Sequence, residues 1–451
     1  MFKRAACLLA SLSVALGGLS LTPAQAGPGS KQAANPAQAI VPAKIEPKED
    51  SVEKVIEASK KSGVLNLTGR VLTMKEVNLM AQQTSLKTLN LSASNLSDVE
   101  GGVIGKMTGL RTLILSNTKM GDEVLSKLQN LKLSQIDLSK SQVTDKGLAC
   151  LGKIETLETI VLNDTAVSDR GLSSLAGLRK LKNLNLNRTK ITEDGLKQLS
   201  SFNALDNLSL QDTDITCATF DTVPSFRFLI GLDVGGTKVS DATIGKLITA
   251  SNLVSLNLTK TKISDNGIPT LQKLKNLREL SLGSTSVTDK GVSSLKSLRL
   301  RTLDLNGTKI TNKALTNFKT ATFLSLLNIG KTAVTDQGMK ALAQAPALTE
   351  LYVADTKIGD EGMKIISTFP KLESLDISDT NITDAGCKSL SQMKGLRYVK
   401  ASGTAITKAG LSSIMRISAL ARLDADRCAK VKKEEMQEVQ KNHPGSLITG
   451  G

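Results

Sequence analysis

One pattern returns sixteen times along this chain, almost always at a spacing of 24 residues. The rows "LRTLILSNTKMGDEVLSKL" (110–128), "LKNLNLNRTKITEDGLKQL" (181–199), "LRELSLGSTSVTDKGVSSL" (277–295) and "LESLDISDTNITDAGCKSL" (372–390) share the frame L-x-x-L-x-L-x-x-T-x-[IV]-[ST]-D-x-G-[LMIV]-x-x-L. With the Thr as anchor, the lattice falls at 70, 94, 118, 141, 165, 189, 213, 237, 261, 285, 308, 332, 356, 380, 404 and 428. Twelve of these are Thr; the others are Arg70, Ser94, Ser141 and Cys428. Two steps are of 23 residues, ending at 141 and 308, and each loses its residue where a loop can absorb the loss. A unit this small buries too little apolar surface to offset its own ordering entropy, so such units stack and share one core.

Within the unit the hydrophobic period changes. Leu113 and Leu115 alternate with Ile114, which puts both leucines on one side of a strand. Leu148, Leu151 and Ile154 recur every three residues, as one face of a helix does. A parallel ladder needs a crossover of a dozen or more residues, usually helical, and a spacing of 24 leaves room for one strand and one helix. Thr144 and its Ser/Thr equivalents stand where a helix N-cap belongs, and Asp145 brings negative charge to the helix's positive end. Apolar residues make up 40% of the chain and aromatics 2%, without Trp, so leucine must supply the core.

These rows resemble the leucine-rich repeat family, in its bacterial 24-residue form with Thr where other classes carry Asn. The resemblance covers about residues 64–430. It implies an α/β solenoid, a right-handed horseshoe like that of ribonuclease inhibitor, with about sixteen parallel strands on the concave face and helices on the convex face. By analogy with the family's Asn ladder, it also implies that the anchor Thr bonds neighbouring backbone and stacks from coil to coil.

The ends are different. Lys3 and Arg4, a short apolar run and Ala24-Gln25-Ala26 read as a signal peptide over 1–26, which implies export to the periplasm or beyond a bacterial cell. Residues 27–50, with Pro28, Pro36, Pro42 and Pro47, read as an extended linker. Residues 51–63 read as a capping helix, with Ser51 as N-cap, Val52, Val55 and Ile56 on one face and Gly63 as stop. Residues 431–451 read as a polar cap helix with Met436 and Val439 inward, followed by a last edge strand at "SLIT". Within the array, "ITCATFDTVPSFRF" is the least regular stretch, and a distorted helix is expected there.

Chemistry finds little room. The segment "IGLDVGGTKV" (230–239) resembles the phosphate turn of sugar kinases, but Thr237 lies on the lattice, Leu232 and Val234 fill the Leu-x-Leu slots, and Lys238 matches Lys119, Lys190 and Lys262. One His, His443, argues against His-based catalysis or metal binding. After removal of Lys3 and Arg4 the formal charge falls from +16 to +14. It forms no run or Arg-rich helix of the kind that suits nucleic acid. Cys150, Cys217, Cys387 and Cys428 match no disulfide or zinc spacing and read as buried thiols. No cofactor, no catalysis and no membrane span are expected, and the chain reads as a monomer.

Function is therefore sought in the outward strand positions. The slot between the two leucines runs through Asp137, Asp233, Asn257, Asp304, Asn328, Tyr352, Asp376 and Lys400, and the slot two residues earlier includes Leu326, Glu350, Tyr398 and Arg422. Both tyrosines of the chain fall on this face, two repeats apart. Tyr and Arg are frequent interface anchors, which makes Tyr352, Tyr398, Asp376, Glu350, Leu326, Arg422, Asp304 and Asn328 a candidate surface for another protein. Lys119, Lys190, Lys238, Lys262, Lys309 and Lys357 form a broken basic rim, the alternative being a binder of anionic cell-envelope polymer or glycan.

Overall fold

The computed structural model describes residues 51–319, 321–343 and 345–450, so the expected signal peptide and linker lie outside the described residues. Among the described residues, seventeen three-residue strands, β1 (Val64–Asn66) to β17 (Leu447–Thr449), form one parallel sheet in which each strand pairs with the next in sequence. The register advances one coil at a time, with Leu65 opposite Leu89 and Leu89 opposite Leu113. Every central strand residue is thereby turned into the same core, which runs unbroken from Val52 to Val439. Burying one such Leu contributes about 1.5–3 kcal/mol. No helix among the described residues is long and apolar enough to cross a membrane.

The coil Thr144–Leu162 shows how the motif works. The Thr144 hydroxyl accepts the Lys146 N–H (3.3 Å) and starts the helix Asp145–Leu151. Leu148, Leu151 and Ile154 turn inward and are buried. The chain then returns to strand at Thr159–Val161.

The anchor Thr acts differently from the expected ladder. Its hydroxyl donates to the strand-end carbonyl three residues back in its own coil, as Thr118 does to Leu115 (2.7 Å) and Thr165 to Leu162 (2.6 Å). It thus closes its own turn, and among the described residues only Thr404 also reaches the next coil, at Cys428 Sγ (3.7 Å). A shorter reach explains this, because a Thr hydroxyl cannot span to a neighbouring strand as an Asn amide can. The residue just before the anchor has positive φ in all sixteen coils, whether Gly, as at Gly236, or not, as at Lys140 (54°), Arg188 (52°) and Lys331 (52°). Its N–H donates to the next coil, for example Lys140 to Asn163 (2.9 Å), which offsets roughly 1–2 kcal/mol of left-handed strain.

The side-chain ladder between coils is built by the Asp of the [ST]-D-x-G segment. Asp122 accepts both the N–H (2.8 Å) and the hydroxyl (2.6 Å) of Thr144 in the next coil. Asp145 does so with Ser168, Asp169 with Thr192, Asp265 with Thr288, Asp289 with Thr311, Asp360 with Thr383 and Asp384 with Thr407. The motif's Gly is the other half of the device. A Cβ on Gly291 would lie 2.4 Å from Asp265 Oδ1, and the Gly291 N–H donates to that same oxygen at 3.0 Å.

Two substitutions at one step of the ladder, in successive coils, change this together. Glu193 replaces the Asp, and Thr219 replaces the Gly that would face it. The longer side chain accepts from Thr216 N–H (2.6 Å) and hydroxyl (2.8 Å) and from Thr219 N–H (3.2 Å) and hydroxyl (2.7 Å). Burial works to raise the Glu193 carboxyl, but these donors outweigh it and hold it below the usual range. Cys217 then takes the Asp slot, and burial pushes its thiol well up. The Ser240 N–H turns instead to Thr243 Oγ1 (3.2 Å), in the following coil. The irregular stretch carries two 3-10 turns, Phe220–Thr222 and Pro224–Phe228, in place of an α-helix, with Phe220 and Phe226 packed 4.3 Å apart.

Each end of the sheet is closed by a side chain. The helix Val52–Ser62 covers the first layer, and Ser62 Oγ accepts the Val64 N–H (3.2 Å) and donates to the Val64 carbonyl (3.1 Å). At the far end the helix Lys433–Asn442 buries Met436 and Val439. Its Gln440 accepts the Ile448 N–H (2.5 Å) and donates to the Ser446 carbonyl (2.6 Å). One carboxamide thus stands where an eighteenth strand would bond.

Candidate protein-binding surface

Strand pleating puts the first and third residue of each strand on the outward face. Over most of the sheet the third residue is occupied locally. Asp137, Asn185, Asp233, Asn257, Asp304, Asn328 and Asp376 each accept the backbone N–H two residues on, at 2.9–3.1 Å. This is an Asx turn that ends the strand, so the polar slot is first a structural device. Asp304 is only 3% exposed, and burial pushes its carboxyl up to about 6 against the single Asn306 N–H that favours the charged form. Asp233, at the phosphate-turn lookalike, sits between buried Leu232 and Val234 and is likewise pushed up by burial.

The face changes character at β12 (Leu326–Asn328), β13 (Glu350–Tyr352), β14 (Ser374–Asp376), β15 (Tyr398–Lys400) and β16 (Arg422–Asp424). Tyr352 pairs with Asp376, Asp376 with Lys400, and Lys400 with Asp424; one slot earlier Glu350, Ser374, Tyr398 and Arg422 stand in line. Tyr398 donates to Asp424 Oδ2 (2.6 Å), Arg422 Nε donates to Asp424 Oδ1 (2.7 Å), and the Thr449 hydroxyl reaches the same carboxylate from β17. Lys400 lies 3.7 Å from Asp376. Burial works against the Asp424 charge, but its donors prevail and keep it low. Burial, then the bond to Asp424, raises Tyr398, so its phenol stays protonated.

Tyr352 differs from the sequence expectation of an exposed anchor. It is 5% exposed, and its hydroxyl donates to Glu350 (2.5 Å). Burial followed by the Glu350 charge pushes its phenol up. The side chain underlies the surface and fixes Glu350. Leu326, Asn328, Glu350, Tyr398, Lys400 and Arg422 are half-buried and form the presented layer, while Asp304, Asp376 and Asp424 form its floor. Lys400 and Asp424 complete the network and were not singled out by residue type alone; their signal was their position beside Tyr398 and Arg422 in the strand register.

A family model described as a leucine-rich repeat matches residues 129–152, 249–271, 273–296, 345–367 and 370–391. The chain is a leucine-rich repeat protein. None of the curated proteins matches it in sequence. Among solved structures it is similar to a leucine-rich repeat protein of Leptospira interrogans, at 20% identity and TM-score 0.50, over 88% of this chain and 98% of that one. It is also similar to an internalin of Listeria monocytogenes, at 20% identity and TM-score 0.47, over 77% of this chain and 92% of the other. At these identities the likeness concerns the fold.

The leucine-rich repeat geometry also sets the lysine rim. Lys119, Lys190, Lys238, Lys262, Lys309 and Lys357 each follow a buried anchor Thr or its equivalent, and all six side chains are exposed. The backbones of all but Lys238 join a second, sparse line of parallel bridges, including Ser97 to Lys119 and Thr288 to Lys309. Lys238 pairs with Asp214.

Proposed function

We propose that the chain is an exported, non-catalytic scaffold that holds another protein against its concave face, with β12–β16 as the docking surface. The observation that carries this reading is the concentration of Tyr398, Arg422, Lys400 and Leu326 in one stretch of a face whose third strand positions elsewhere are mostly Asn or Asp tied into their own turns. Aromatic and Arg side chains held by neighbours lose little entropy on binding and so anchor interfaces efficiently. The network around Asp424 does that holding. The single His supports the non-catalytic part: His443 Nδ1 is engaged at 3.0 Å by the Val439 carbonyl in the end cap.

The test is capture from an envelope extract on immobilised wild-type protein and on the Tyr398→Ala/Arg422→Ala variant. A partner retained by the first and lost at least tenfold on the second is expected. Equal retention on both would remove this surface from the proposal.

The exposed lysine rim favours one second reading, adhesion to an anionic envelope polymer. That binding would collapse between low and high salt, because exposed charges are screened beyond about 8 Å at physiological ionic strength. A hydrophobic, hydrogen-bonded protein contact would persist.

A further inference from the structure

A different opening lies on the loops that lead from helix to strand. Eleven residues before the lattice position, most coils carry a large side chain: Ile154, Leu178, Phe202, Leu274, Phe369 or Met393. Ala321 stands in that slot, beside the coil that is one residue short at 308. Ala250 and Ala345 share the small residue, but they lie between coils of full length and are closed over at 0% and 4% exposure. At Ala321 the missing volume is not refilled. Leu298 is 9% exposed, Leu300 and Phe318 are less covered than the sealed core elsewhere, and a cavity of 230 Å³ opens to the surface. Phe323 stands at its mouth, 48% exposed, with the Arg299 guanidinium 5.4 Å from its ring centroid.

The charge around this opening has one sign. Between Lys290 and Thr335 the chain holds eight basic residues and one acid, Asp304, which is buried on the concave face. Lys296 and Arg299 line the groove and are exposed, and Lys319, next in sequence to the lining Phe318, is exposed too. A slot large enough for one side chain, walled by Leu298 and Phe318 and in part by polar Asn317 and Thr322, with an Arg–Phe pair at its rim and cations around it, selects by both shape and charge.

We infer that this groove is a second docking site, for a segment of a protein partner that inserts one large apolar side chain between Leu298 and Phe318 and sets flanking Asp or Glu residues against Lys296, Arg299 and Lys319. It shares no residue with the concave surface, so either can fail alone. The probe is a fluorescein-labelled hexapeptide with one central phenylalanine among glutamates, titrated by anisotropy into the full-length protein. Saturable binding is expected, weakened at least tenfold by Ala321→Leu, which fills the slot, and by Arg299→Glu/Lys319→Glu. It is expected to disappear when the peptide's phenylalanine is alanine, and to be unchanged by Tyr398→Ala/Arg422→Ala. Thermal melting checks the fold, and Ala321→Leu is expected to melt at or above the wild-type temperature. Binding that ignores Ala321→Leu, or that is equal for the alanine peptide, overturns the groove as a site; so does no binding by the wild type.

Discussion

Arg427 reaches over Gly403 to Asp379, two coils away, with guanidinium nitrogens 3.0 Å from both carboxylate oxygens. The bridge is possible because the intervening coil has no side chain at that place. Gly403 has φ of +69°, and a Cβ there would lie 2.2 Å from Asp379 Oδ1. Gly403→Ala is therefore expected to lower stability by about 1–2 kcal/mol from left-handed strain alone, with added loss from displacing the carboxylate. Arg427→Ala, in a solvent-exposed pair, should barely move the melting temperature. Calorimetry of the two variants makes the comparison.

The carboxylate ladder predicts an order of severity at one position. Asp265→Ala leaves the donors of Thr288 and Gly291 without their acceptor and should cost about 3 kcal/mol in urea unfolding. Asp265→Asn should cost clearly less. Asn312 already fills the equivalent place, accepting the Thr335 N–H at 2.9 Å and reversing the hydroxyl bond by donating to Thr335 Oγ1 at 2.9 Å.

Glu193 and Thr219 should behave as a coupled pair. Glu193→Asp shortens the side chain away from the Thr219 hydroxyl. Thr219→Gly removes that hydroxyl and leaves the longer carboxylate with space to fill. Each single change should destabilise, and the double variant, which recreates the standard Asp–Gly arrangement, should recover part of the loss. A coupling of about 1 kcal/mol or more in the double-mutant cycle is expected; strict additivity would contradict the bonds described.

Asp304 gives a pH signature with a definite sign. Its folded carboxyl is raised to about 6 from an ordinary 3.8, so the native state holds its proton where the unfolded state has lost it. Stability from this group is full below about pH 4 and falls as pH rises through 6, by about 3 kcal/mol at most for a two-unit shift. Asp304→Asn keeps an oxygen for the Asn306 N–H, as Asn257 and Asn328 do in the same slot. The variant should be more stable than wild type at pH 8 and equal to it at pH 4, read from melting curves across that range.

The coil, its strand and its buried leucines were legible because they obey the two periods that side-chain packing imposes, 2 in the strand and 3.6 in the helix. The Asp–Gly ladder was half legible: both residues recur in every well-formed row, but Asp145 read alone suggests a helix-dipole role, and only neighbouring coils show it bound to Ser168. The positive φ before each anchor was hidden, because Lys140, Arg188 and Lys331 adopt it without being Gly; the inter-coil amide bond, a non-local term, imposes it. Tyr352 was placed on the right face, yet its burial depends on how the Glu350, Ser374 and Tyr398 side chains close around it. That closure has no one-dimensional trace. The groove at Ala321 needed both the short coil and a comparison down the column of equivalent positions.

Ser62 and Gln440 act on the sheet as terminators, each supplying from a side chain what another coil would supply from backbone. Neither depends on how many turns lie between them. Interior turns could accordingly be added or removed in whole units, lengthening or shortening the reach of the curved face, while the molecule keeps two blunt ends that refuse further growth.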